Sequence, residues 1–300
     1  MIADVMTSEH ERATGKVRPQ FSIIVPAYNA ASTLGRTLDS VRAQTYDDWE
    51  CVVVDDGSTD TTAALLADYA SDDSRIRSIF QENAGTAAAL NTAARAATGD
   101  FLVQLGADDE LLPEYCEMTA ELIASRPDYD IYAANALQVF AGGKTVRFHR
   151  GERFQRQLSL AIDDVIQKPL IYGSAAIRRE VFEARGGFRS EVYNEDYDFW
   201  LRALAGGARH IYQPVDLSLY HVTPNQKTED AVKMRSSDYQ LLGDLLASGV
   251  LQESQAAAVR LRQQELARNI AVRRKLYRLL GRRVSEFLIA KTRNLRGGAS

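Results

Sequence analysis

The chain has 300 residues, 45% of them hydrophobic and 25% charged, with a net charge of -4. That is ordinary for a globular protein and enough to fill the core of one large domain, or of a domain with an appendage. No apolar stretch reaches the roughly 20 residues of a membrane span. Cys51 and Cys116, the only cysteines, are too few for a disulfide framework and read as packing residues in a reducing compartment.

The polar opening, residues 1–18, lacks the apolar core of a signal peptide and reads as a disordered lead-in ending at Pro19. The first half then alternates strand and helix. Phe21 to Val25 forms a fully apolar strand but for Ser22. A helix over 31–44 follows, with Leu34, Leu38 and Val41 on one face. A strand over 49–54 leads to a helix capped by Ser58 or Thr59 and running to Tyr69. A short strand over 76–80, a helix over 86–97, a strand over 101–105 and a helix from Pro113 to about Ser125 complete this half. Alternation with short joints predicts a largely parallel sheet.

The second half is less regular. Residues 130–140 and 144–148 read as a hairpin around Gly142-Gly143. A strand over 171–178, a short helix, the turn Gly186-Gly187-Phe188 and a helix over 194–205 follow. Strands are expected over 210–212 and 217–221. From Thr228 onward only helices are expected. No internal repeat or low-complexity segment is present.

The first two strands run into polar tips, Pro26-Ala27-Tyr28-Asn29 and Asp55-Asp56-Gly57-Ser58. In a parallel βαβ unit such tips lie together on the carboxyl edge of the sheet, where open α/β folds bind ligands. An aromatic ring, a carboxylate pair and a glycine turn there suit a nucleotide base and ribose. On its own, DDGS is equally a strand end with an Asx-type turn. The acids after residue 107 equally favour a helix N-terminus, and Asn194 with its acids equally reads as a capped helix start.

Four motifs in order, SIIVPAYN, VVVDDGSTD, LGADD and GGF…NEDYDFWLRA, span about residues 20 to 225. Together they resemble the inverting glycosyltransferases of family 2. The resemblance implies a GT-A fold: an α/β, Rossmann-like, mostly parallel sheet flanked by helices, here with a C-terminal helical appendage. The implied division is a lead-in over 1–18, a catalytic domain over 19–227 and a helical region over 228–300. Within the catalytic domain, 19–110 is the nucleotide-sugar half and 111–227 the acceptor half.

The resemblance also implies roles. Asp56 reaches the edge of the nucleotide base, Pro26, Tyr28 and Asn29 line the base and ribose pocket, and Asp55 contacts the ribose or braces the turn. The family's D-x-D tip, which holds a divalent cation, Mn2+ or Mg2+, on the diphosphate, falls on Gly106-Ala107-Asp108. The first acid is missing, and Asp108 is the retained ligand. His221 is the candidate for a further ligand, although the family's histidine position falls on Thr223. Asp196 corresponds to the general base that takes the acceptor proton, with Glu195 orienting it. Asp198 is a weaker candidate for the same work. Gly187 belongs to a turn lining the sugar and acceptor cleft. Trp200 reads as core, while Arg202 and Ser174 are candidate acceptor or sugar contacts. Leu90-Asn91 stands where the family often carries Arg-Asn.

The implied donor is a nucleotide-sugar, a UDP-sugar before others, and the implied acceptor a glycan or lipid-linked hydroxyl. The work expected is cell-surface polysaccharide or glycoconjugate synthesis. A non-catalytic nucleotide-sugar-binding or scaffold protein on the same fold is the alternative. No phosphate loop of the nucleotidyltransferase or dehydrogenase type is present. Between Arg260 and Arg296, twelve basic residues face only Glu265 and Glu286. Val259, Leu266, Ile270, Tyr277, Leu280, Val284 and Phe287 recur at helical spacing among them. This face is expected to pack on the catalytic domain or on a second copy, or else to lie on an anionic membrane surface. Nucleic-acid binding is not expected. The expected location is cytoplasmic, with peripheral contact at the inner face of the plasma membrane.

Overall fold

A computed structural model describes residues 19–223, 230–282, 284 and 285. The expected lead-in, and Phe287 with the last basic residues, lie outside the described residues. One sheet organises the fold. Its first strands are β1 (Phe21–Ala27), β2 (Trp49–Asp55), β3 (Ile76–Phe80) and β4 (Phe101–Gln104), in the order β3-β2-β1-β4, all parallel. β1 and β2 carry apolar residues on both faces because helices cover both sides of the sheet. Those connecting helices are α1 (Leu34–Arg42), α2 (Thr62–Asp72) and α3 (Thr86–Ala96). Leu34, Leu38 and Val41 of α1 are fully buried, as their spacing predicts.

The sheet continues through β8 (Ala176–Arg178), β6 (Ile131–Val139), β9 (His210–His221) and β5 (Glu110–Leu111), with β7 (Thr145–Arg147) paired beside β6. Here the pairing is mixed: β8 is antiparallel to both neighbours, and β9 is parallel to β6. The expected strand over 171–178 is only Ala176–Arg178 long, because Tyr172, Gly173 and Ser174 leave the sheet to line a cavity. The two strands expected over 210–212 and 217–221 are one. Gln213 pairs with Ala134 and Asp216 with Asn135, so Pro214 and Val215 bulge out of the ladder. A bulge is where a residue with no N–H to give fits a strand.

Helix α4 (Tyr115–Ser125) and the short α5 (Ile162–Gln167) and α6 (Arg179–Ala184) fill out the domain, with α7 (Glu195–Ala205) packed against α5. Trp200 on α7 is fully buried, as expected. The last helices, α8 (Ala231–Ala247) and α9 (Glu253–Leu280), form an antiparallel hairpin. Leu241, Leu242 and Leu245 of α8 and Val259 and Leu266 of α9 enter the same core cluster as Phe199 and Trp200. The hairpin therefore packs on the domain. Its outer face keeps Leu261 exposed, and its far end Val272, Leu279 and Leu280. Among the described residues no helix is long and apolar enough to cross a membrane.

Candidate active site

The carboxyl ends of β1, β2 and β4 converge, as parallel strands require. A cavity of about 700 Å³ opens there, lined by Pro26, Tyr28, Asn29, Asp56, Thr86, Gly106 and Asp108 among others. Beside it lies a second cavity of about 290 Å³, lined among others by Gly106, Asp108, Tyr172, Ser174, Glu195 and Asp196. Gly106 and Asp108 belong to both. Asp56, Asp108 and Asp196, separated widely in the chain, thus line two adjacent cavities that share Gly106 and Asp108.

Each wall has a local cause. Tyr28 is 53% exposed, a ring presented to the larger cavity. Asn29 takes a left-handed conformation with φ of 49°, which asparagine tolerates better than most residues. Its Oδ1 accepts from the Thr59 amide at 2.8 Å, tying the first strand tip to the second. Asp55 accepts from the Ser58 amide at 2.9 Å and so braces the turn. Gly57, at φ of 78°, sits where a Cβ would lie 2.9 Å from the Asn83 amide nitrogen.

Asp56 is buried and already employed. Its Oδ1 accepts from Gln81 Nε2 at 2.7 Å and the Ala84 amide at 2.9 Å, and its Oδ2 from the Gly85 amide at 2.8 Å. A carboxylate has about four acceptor positions. Three are filled by the loop before α3, which leaves one on Oδ2 for a further donor such as the N–H of a base.

At the β4 tip the missing acid makes room. A Cβ on Gly106 would lie 3.0 Å from both Asp108 Oδ1 and Asp109 Oδ2. Asp109, given no separate role by the sequence, is buried under Tyr172 and β9. It accepts from Tyr172 Oη at 3.0 Å and from the His221 amide at 3.0 Å. Burial first, and then the charge of Asp108, push its carboxyl up to about 7. Two crowded acids at a cavity wall form a place for positive charge. Among the described residues, no group of three or more His, Cys, Asp or Glu side chains could hold a metal by itself. The residues therefore fit a divalent cation bound by one or two carboxylates and completed by phosphate oxygens, the usual arrangement for Mg2+, and not a closed protein cage.

Three expected binding or metal residues line neither cavity: Asp55, which braces the turn as described, His221 and Gly187. His221 lines neither cavity; its Nε2 meets Glu110 Oε1 at 2.6 Å, and Glu110 in turn pairs with Arg36 at 3.0 Å. The short β5–β9 pairing sets this, since Glu110 faces Leu219 across the ladder. Gly187 also lines neither cavity. At φ of 70° it lets Asn91 approach, where a Cβ would lie 2.5 Å from Asn91 Oδ1. Asn91 holds the following residue from both sides, accepting from the Phe188 amide at 2.9 Å and donating to the Phe188 carbonyl at 2.7 Å. Leu90 beside it is core.

Helix α7 delivers Glu195 and Asp196 in its first turn, where the helix dipole favours carboxylates. Glu195 is buried and Asp196 half-buried; Asp196 Oδ1 accepts from the Tyr197 amide at 2.7 Å. Asp198 faces the opposite way and is clamped between Arg189 and Arg202, with Arg202 Nε at 2.8 Å. Arg202 donates also to the Gly187 carbonyl at 2.7 Å. Both residues build the support of α7, not the cavity. Ser174 does line the smaller cavity, held by Ser218 at 3.1 Å. Sequence reasoning missed Gln104, Tyr172, Tyr193, Tyr220 and Met234, which line it too. Only the polar end of an apolar strand could have pointed to Gln104; no local signal marks the others.

The family described as Glycosyl transferase family 2 matches residues 22–186. EpsE of Bacillus subtilis, which bears a glycosyltransferase name, is 31% identical over 74% of this chain and 78% of its own length. Other relatives are longer proteins, Escherichia coli chondroitin synthase among them (41% identical over 36% of this chain), and the chain spans between 16% and 40% of their length. Among solved structures, Staphylococcus aureus TarS 1-349 in complex with UDP-GlcNAc superposes with a TM-score of 0.70. The match has 19% identity and covers 87% of this chain and 76% of that one. The Pyrobaculum calidifontis mannosyltransferase PcManGT with GDP-Man and Mn2+ gives 0.65 at 22% identity, over 93% and 81%. At such identities the likeness is one of fold.

Proposed function

This chain belongs to glycosyl transferase family 2, and from that premise we propose that it moves one sugar from a nucleotide-diphosphate donor to an acceptor hydroxyl with inversion. The observation that carries the reading is the pair of adjacent cavities: Asp56 on the larger, Asp196 on the smaller, Asp108 on both.

The donor occupies the larger cavity. Its base meets the free position on Asp56 Oδ2 and packs on Pro26 and Tyr28, with Asn29 and Asp55 holding the two turns rigid around it. The diphosphate lies toward Asp108, and Asp109 stands behind it. Asp108 would hold a divalent cation, Mn2+ or Mg2+, which would supply charge stabilisation to the departing nucleotide. TarS and PcManGT, solved with UDP-GlcNAc and with GDP-Man and Mn2+, support a donor of this class. A UDP-sugar is the first candidate.

The acceptor occupies the smaller cavity. Asp196 takes the proton of its hydroxyl as the new C–O bond forms on the face opposite the leaving nucleotide, and Glu195 orients the pair. A single displacement of this kind inverts the anomeric carbon. General-base catalysis contributes about 10²–10⁴-fold. The acceptor class is a glycan or a lipid-linked sugar in cell-surface polysaccharide synthesis. The exposed apolar and basic end of α9 suits contact with an anionic membrane surface on the cytoplasmic side.

The test is nucleotide release from a panel of nucleotide-sugars, with and without Mn2+. Release that requires acceptor and disappears in Asp196→Asn, with fold and donor binding intact, is the expected result. Undiminished release in that variant contradicts the reading.

A further inference from the structure

Asn194 precedes Glu195 and stands where a side chain ordinarily caps a helix. It does not cap α7. Its Nδ2 donates instead to the Asp238 carboxylate and, at 3.3 Å, to the Met234 carbonyl, both on α8. A carbonyl only accepts, so the amide nitrogen must face α8 and Oδ1 must face away. That oxygen is buried with no hydrogen-bond partner, and Asn194 as a whole is 5% exposed.

Gln104 at the end of β4 lines the same cavity, and its Oε1 is in the same state. A buried acceptor without a donor costs about 1–3 kcal/mol, and native structures keep few of them. Among the described residues, further such atoms, on Trp49, Arg185, Trp200 and His210, belong to residues that do not line this cavity. Two amide oxygens of one kind beside Asp196 therefore ask for one explanation. Asn194 Oδ1 lacks only a donor; the Gln104 amide has no hydrogen bond at either end, so it can turn its oxygen toward a donor, and neither oxygen is reached by water. A ligand bearing several O–H groups supplies donors once the side chains turn slightly toward it.

We infer that the smaller cavity reads a polyhydroxylated ring through Asn194 Oδ1 and Gln104 Oε1, with Asp238 of the C-terminal hairpin as the positioning residue that aims Asn194. Tyr172, Tyr193 and Tyr220 line the same space, and aromatic rings suit the C–H face of a sugar. Met234 closes it from α8, and Lys233 of α8 lies 4.2 Å over the Tyr193 ring. The hairpin, outside the span matched by the family, thereby forms part of the acceptor site. The inference rests on the acceptor reading given above.

The test uses the full chain with UDP bound and the methyl glycosides of glucose, galactose, mannose and N-acetylglucosamine as probes, with affinities measured by NMR titration. At least one probe binds the wild-type protein. Gln104→Leu and Asp238→Leu each weaken it about tenfold, the size of one lost hydrogen bond, with UDP affinity unchanged. Asp238→Asn, whose carbonyl still accepts from Asn194, restores binding to within about twofold. Gln104→Leu also loses no thermal stability, because it removes an unpaired group; a residue of purely structural importance would lose it. Failure of all four glycosides to bind, or unchanged affinity in both leucine variants, overturns the inference. The parent reading is tested separately: transfer persisting in Asp196→Asn overturns sugar transfer by that base, whatever the glycosides do.

Discussion

The two halves of the sheet do different work by different means. From β1 to β4 every pair is parallel, every turn is short, and the site residues sit on strand tips whose position the backbone dictates. From β5 to β9 the pairing is mixed, and the site is held by side chains reaching between distant elements: Asn91 to Phe188, Arg189 and Arg202 to Asp198, Asn194 to Asp238. On the proposed reading, the first half offers a general pocket for a nucleotide. The second then positions Asp196 as the base, beside a wall whose shape depends on a few long-range contacts. Substitutions should therefore divide by half: binding of nucleotide on one side, chemistry and stability on the other.

The largest effect expected is in the second half. Asp196→Asn should lower transfer by about 10³-fold while leaving nucleotide affinity intact; steady-state kinetics with calorimetry checks this. In the first half, Asp56→Ala should do the reverse in kind, weakening nucleotide binding and loosening the loop that donates three hydrogen bonds to its carboxylate, with amide exchange at Ala84 and Gly85 as the readout.

Stability comes next. Gly187→Ala places a Cβ against Asn91 Oδ1 and Phe182 at a positive φ. A loss of about 2–4 kcal/mol in urea unfolding is expected, carried by strain and a broken Asn91 clamp. On the hairpin, Leu266→Ala should cost about 2–4 kcal/mol, because Leu266 is 1% exposed. Leu261→Ala on the same helix, 65% exposed, should change stability by less than about 0.5 kcal/mol. Equal effects at the two positions would contradict the packing of α9 on the domain.

Acid should find the second half first. His149 stacks on Phe154 at 4.0 Å and lies near Leu170, and burial lowers its pKa to about 4. His210 accepts from the Leu160 amide, and burial lowers its pKa to about 3. Both fold as neutral rings. Below the unfolded value near 6.5 the unfolded chain binds protons that the folded chain refuses, so stability falls as pH drops from about 6.5 toward 4 and 3. The loss is on the order of a few kcal/mol. His149→Phe or His210→Phe should flatten the decline between pH 6.5 and 4, measured by thermal unfolding across pH.

Much of the first half was legible because its signals are local. Fully apolar strands, α1's buried stripe and the DDGS turn each declare themselves within a few residues. The second half was less legible because its decisive facts are not local. Nothing near Pro214 says that a two-residue bulge lets β9 run through it. Nothing in Tyr172-Gly173-Ser174 says that a β-prone run leaves the sheet to wall a cavity. Asp198 and Arg202 look like site residues by their neighbours, yet a buried ion pair claims them. Gly187 sits in a recognisable motif, but the motif serves the Asn91 clamp. The hairpin's apolar spacing foretold packing at Val259 and Leu266, while Met234 on the cavity wall and Asp238 as the partner of Asn194 depend on contacts some 40 residues distant in the chain.

The most direct measurement is a crystal structure with a nucleotide-sugar and Mn2+. The account predicts the base against Asp56 and Tyr28, the diphosphate at Asp108, and the anomeric carbon pointing along the cleft toward Asp196 with room for one hydroxyl between them. A nucleotide bound with its sugar directed away from Asp196, or seated outside the two joined cavities, would contradict it.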